Sequence, residues 1–77
     1  MPTLIIVKGI RFFFYSNEGN EPPHVHVTKG DAYGKIWLRP VSIKYLIGFN
    51  PAEEKTILET IMVNLRSFNT QWDEHFN

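Results

Sequence analysis

Two periods of apolar residues divide the chain. Over residues 1–49 apolar and polar positions alternate as in strands, and over residues 50–77 they recur as on a helix. Leu4 to Val7 and Ile10 to Tyr15 are β-branched or aromatic runs parted by Lys8-Gly9, which predicts a hairpin. Ser16 to Pro23 carries Ser, Asn, Gly and two prolines and reads as a loop. Pro22 and Pro23 favour extended geometry just before them and lead into a third strand, His24 to Thr28. Lys29 to Gly34 reads as a turn, and Lys35 to Arg39 as a fourth strand ended by Pro40. Val41 to Phe49 fits either a short strand or a helical turn before Gly48.

Asn50-Pro51 followed by Glu53 marks a helix start: a capping side chain, proline in the first turn and a carboxylate near the N-terminus. Leu58, Ile61, Leu65, Phe68, Trp72 and Phe76 then form one apolar stripe. Asn64, Asn69 and Asn77 are weak helix formers, so a break is expected near Ser67 to Thr70. The expected fold is α+β: an antiparallel meander of about four strands, covered on one face by one or two C-terminal helices.

Composition narrows the class. With 77 residues this is a single domain, 1–77, which by size hides only about 60% of its unfolded surface. There is no cysteine, hence no disulfide framework and no thiolate metal site. The longest apolar run is four residues, far short of the roughly 20 that span a bilayer, and Met1-Pro2-Thr3 does not open a signal peptide. The expected location is the cytoplasm, with no membrane partner. The eight basic and eight acidic residues cancel, but residues 1–49 hold six bases against three acids. Residues 50–77 hold two against five, so the halves either attract each other or orient a charged partner.

Strand alternation sorts the candidate chemistry. If Ile10, Phe12, Phe14, Val25, Val27, Ile36 and Leu38 face the helices, the other face collects Arg11, Phe13, Tyr15, His24, His26, Lys35, Trp37 and Arg39. Exposed rings stack unpaired bases and Arg or Lys hold phosphates, so this face is a candidate RNA surface, with Trp37 beside Phe13 and Tyr15. His24 and His26 are the candidate acid–base pair for RNA cleavage. The same residue types build protein interfaces, so a partner protein or a homodimer is the competing reading. His24 and His26 at i and i+2 also offer two imidazoles to a divalent metal, with a third ligand needed from Glu21, Asp31 or His75. No other cofactor motif is present: G-x-G-x-x-G, Walker, H-E-x-x-H and G-x-S-x-G patterns are all missing.

The run from Arg11 to Val27, RFFFYSNEGNEPPHVHV, resembles the signature of a small bacterial family, the domain of unknown function DUF4160. The opening Met1-Pro2-Thr3, Lys35, Trp37-Leu38, Pro40-Val41, Gly48-Phe49 and the closing Trp72, Glu74 and Phe76 are similar as well. The resemblance implies a neighbour encoded alongside, the DUF2442 family, in an arrangement like a toxin–antitoxin pair. It carries no established catalytic residues, so the roles of His24 and His26 rest on their chemistry alone.

Overall fold

The structure is a computed structural model that describes residues 3–15 and 19–76. Five antiparallel strands form one sheet in sequence order: β1 Thr3–Val7, β2 Ile10–Phe13, β3 His24–Lys29, β4 Ala32–Leu38 and β5 Val41–Ile47. Two helices follow, α1 Pro51–Val63 and α2 Leu65–Phe76. The fold class is α+β as the sequence predicts, with one strand more than the four expected. Val41 to Phe49, which fits either a strand or a helical turn by sequence, holds the strand β5.

Each boundary has a local cause. Lys8 (φ 51°) and Gly9 (φ 79°) make the tight left-handed turn that joins β1 to β2 with the twist a hairpin needs. Gly30 takes φ 58° and confines the β3–β4 turn, so β4 begins at Ala32 rather than Lys35. Gly34 then lies inside the strand, and the opposite arrangement explains it. A Cβ there would run into the Leu46 side chain and come within 3.0 Å of Val27, so those side chains close over the space it leaves. β2 stops at Phe13, two residues short of its predicted end, which frees Tyr15 from strand alternation.

Asn50 caps α1 in a reciprocal box: its side chain accepts from the Glu53 N–H at 2.8 Å, and the Glu53 carboxylate accepts from the Asn50 N–H at 2.9 Å. The helical break falls at Asn64, not at Ser67 to Thr70. Asn64 donates both its backbone N–H (3.0 Å) and its side-chain amide (2.8 Å) to the Thr60 carbonyl, while its own carbonyl accepts from Phe68 N–H at 2.8 Å. This local competition for backbone groups ends one helix and starts the next.

The core lies between one sheet face and the helices. Ile10, Phe12, Phe14, Val25, Val27, Ile36 and Leu38 pack against Ile57 and Ile61 of α1 and Phe68 and Trp72 of α2. The strand sorting is thus as predicted, but the helical stripe is not continuous. The break resets its phase, so Ile57 is buried while Leu58 turns to a surface patch with Glu59, Met62 and Val63. Two ion pairs stitch the halves together, Lys29–Glu53 and Arg39–Asp73, each at 2.8 Å. Among the described residues, no helix is long and apolar enough to cross a membrane.

Candidate functional site

The helices pack on the first sheet face and touch the second at its end, through Trp72, and strand register brings the predicted residues together on that second face. Arg11 pairs with Thr28, Phe13 with His26, His24 with Trp37, and His26 with Lys35. Directly paired residues share a face, so these side chains form one patch. Its centre, however, is closed. Phe13 is 2% exposed: His26 stacks on it at 5.6 Å, Tyr15 meets it edge-on at 5.1 Å, and the Arg11 guanidinium lies 4.5 Å over its ring. The predicted exposed ring is therefore a second small core, because Tyr15, released from the strand, folds against it.

The histidines share that enclosure. His24 has no exposed surface; its Nδ1 lies 2.9 Å from the Pro22 carbonyl, and its ring touches His26, Trp37 and Trp72. The contact with Trp72 brings α2 against a residue sorted to the opposite face, since His24 opens β3 at the end of the sheet. His26 is 8% exposed, between Phe13 and Tyr15. Among the described residues, no three His, Cys, Asp or Glu side chains converge in a group able to hold a metal ion, so neither Glu21, Asp31 nor His75 completes a set.

The predicted phosphate-holding cations divide. Lys35 is 8% exposed and bonds both carboxylate oxygens of Glu21 at 2.9 and 3.0 Å, while its ammonium lies 4.8 Å over Trp37. Arg39 is not on this face at all. It follows the last residue of β4, where alternation no longer governs, and turns to α2, donating to the Asn69 side chain and carbonyl and to Asp73. Arg11 stays on the face, donating to Thr3 Oγ1 at 2.9 Å.

Three residues that sequence reasoning missed complete the face. Tyr33 pairs with Thr28 and Tyr45 with Lys35, and the two rings meet edge-on at 5.9 Å. Lys44 is the extra residue of a bulge opposite Lys35 and Ile36, and its ammonium lies 5.6 Å over Trp37. Their signal is present in the sequence: Tyr33, Lys35 and Trp37 continue one alternation, hidden by reading residues 29–34 as a turn. Together Tyr15, Tyr33 and Tyr45 wall a pocket of about 180 Å³ lined also by Phe13, His26, Val27, Thr28 and Gly34.

Among the described residues acids are scarce here. Glu53, Glu54, Glu59, Asp73 and Glu74 lie on the helices and Asp31 in the β3–β4 turn, while Glu21 reaches this face and is engaged by Lys35. The uncovered face is aromatic and cationic, with most of its imidazole surface withdrawn. No significant match emerges among curated proteins or among solved structures. The family described as a domain of unknown function, DUF4160, matches residues 9–73, and the chain belongs to that family.

Proposed function

We propose that this chain binds an unpaired RNA segment across its uncovered sheet face, without cleaving it, as one component of a toxin–antitoxin-like pair. The observation that carries this reading is the segregation of groups. Half-exposed Tyr15 and Tyr33, with Tyr45, share the uncovered face with Arg11 and Lys44, while the helices hold most of the acids. Rings of this kind stack bases without regard to sequence, and cations beside them hold the backbone. Cleavage is left out because an acid–base pair must reach its substrate, and His24 is wholly enclosed. The pairing with a second small protein is supported by the family resemblance.

Fluorescence anisotropy with labelled oligouridine tests this. Two cations at phosphates give a log–log salt slope of about −1.4. The RNA should remain intact after incubation; absence of binding at low salt sinks the proposal. RNA cleavage that vanishes in His24→Ala with an unchanged circular-dichroism spectrum would restore the catalytic pair.

A second reading is favoured by Ile6, 62% exposed, and Ile47, 48% exposed, which lie on this face at its two edge strands and do not stack on bases. They suit a partner protein of the DUF2442 type or a second copy. A dimer in sedimentation that Ile47→Glu dissolves, without RNA binding, would put this reading in place of the first.

A further inference from the structure

We infer that the tyrosine-walled pocket is a site for one unpaired pyrimidine base, with the flanking phosphates held by Arg11 and Lys44. The inference rests on the RNA reading and adds to it a position, a base class and a direction for the strand.

Size sets the class of occupant. A pocket of about 180 Å³ is smaller than the roughly 300–1,000 Å³ that takes a drug-sized ligand, so it suits one small ring rather than a fused pair. Its walls are π-faces and edges, since Tyr15 stands against His26 at 4.6 Å and Tyr33 against Tyr45 at 5.9 Å. Its floor lies between β3 and β4, at the register pair Val27 and Gly34, and Leu46, the partner of Gly34 on β5, turns to the other face. Among the described residues no Lys, Arg, Asp or Glu lines the pocket, while Thr28 and the tyrosines bring hydroxyls that both donate and accept. A neutral, planar ring with polar edges fits that lining.

The cations stand outside the pocket on opposite sides. Arg11 is on β2, beside Thr28 in register, and Lys44 is on β5, next to Tyr45. Three strand spacings separate β2 from β5, about 14 Å, so the nucleic-acid backbone would cross the strands rather than run along them. Their charges complement a phosphate on each side of the inserted base.

The test compares short oligouridine and oligoadenosine on wild type, Tyr33→Leu, Tyr45→Leu and Lys44→Ala. Tyr33 is half exposed, so the leucine variant keeps its fold, and a thermal melt verifies it. Wild type should bind oligouridine about tenfold more tightly than oligoadenosine. Each tyrosine variant should lose about tenfold toward oligouridine, the order expected for one stacked base. Lys44→Ala should weaken both oligonucleotides alike and reduce the salt slope by about 0.7, one of the two phosphate contacts. Wild-type affinity in both folded tyrosine variants overturns the base site and leaves the RNA reading standing. Equal affinity for the two oligonucleotides overturns the pyrimidine assignment. If wild type binds neither, the RNA reading fails and the base site with it.

Discussion

Lys35 and Glu21, fourteen positions apart, form a two-pronged clasp in which one ammonium meets both carboxylate oxygens. The lysine side chain is 10% exposed and the carboxylate 35%. The clasp ties the segment before β3 down onto the uncovered face, beside Trp37 and the histidines.

The two halves of the clasp should respond unequally to removal. Glu21→Ala leaves a nearly buried ammonium without its carboxylate and should cost about 1–2 kcal/mol, reduced from the 3–5 of a fully buried pair by the exposure of Glu21. Lys35→Met keeps the aliphatic stem over Trp37 and leaves the more exposed partner, so it should cost less than about 1 kcal/mol. Urea melts of the two variants decide this; a larger loss for Lys35→Met would show that the ammonium, not its burial, dominates.

The acid limb of the stability curve should carry a contribution from Glu53. The hydrogen bond from Lys29, then that from the Asn50 backbone, and the Lys29 charge hold its carboxyl below the ordinary 4.5, against a smaller opposing effect of burial. A depressed folded-state value means stability that is present above the unfolded value and lost as pH falls through the folded one. Thermal melts from neutral pH to below pH 4.5 should therefore show a shallower acid decline in Glu53→Gln than in wild type. Parallel curves would mean the capping box and its lysine add nothing that titrates.

The two tryptophans should separate into a core and a surface residue. Trp72 is 4% exposed and packs on Phe14, Phe76 and His24, so Trp72→Ala should cost about 3–5 kcal/mol. Trp37 is half buried under two lysine ammoniums, and its truncation should cost clearly less while weakening partner binding more. A denaturant melt alongside an RNA titration and a sizing run checks both. A collapse of Trp37→Ala with assembly and binding unchanged would place Trp37 in the core.

Lys8 holds a left-handed conformation that asparagine adopts more readily. Lys8→Asn should raise stability by about 0.5–1 kcal/mol, a melting-temperature gain of a few degrees, about 2–6 °C, for a chain of this size. A lower melting temperature would mean that the Lys8 side chain contributes more elsewhere than its backbone strain costs.

The residues show why some of this was legible in the sequence and some was not. Alternation sorted Phe12 from Phe13 and Val25 from His26 correctly, because a strand leaves a side chain only two sides to choose from. It could not foresee that Phe13 and His26 would bury each other, since that depends on Tyr15 leaving the strand and returning. Arg39 escaped for a related reason: one residue past the strand end, its direction is set by Asp73, far along the chain. Asn64 was recognised as a weak former, but its role as the break rests on hydrogen bonds to Thr60 and from Phe68 that no single-residue propensity encodes. Tyr33 and Tyr45 are hidden because Gly30 and Gly34 make residues 29–34 look like one turn and the bulge at Lys44 breaks the alternation of β5.

The meander in which every strand pairs with its sequence neighbour also governs how the chain reaches this shape. Three of the four pairings close over two residues and the β2–β3 pairing over ten, so the sheet can grow one hairpin at a time at little loop-closure cost and should form fast for a β-rich domain. Yet its core face, with Phe12, Phe14, Val25, Val27 and Ile36, stays uncovered until residues 51–76 arrive. On a growing chain the sheet is made before its cover, and a fragment ending at Asn50 should be an aggregating species rather than a smaller folded one. The two helices thus act during synthesis as the chain's own late-arriving shield, and Asn64 lets that shield fold down in two pieces.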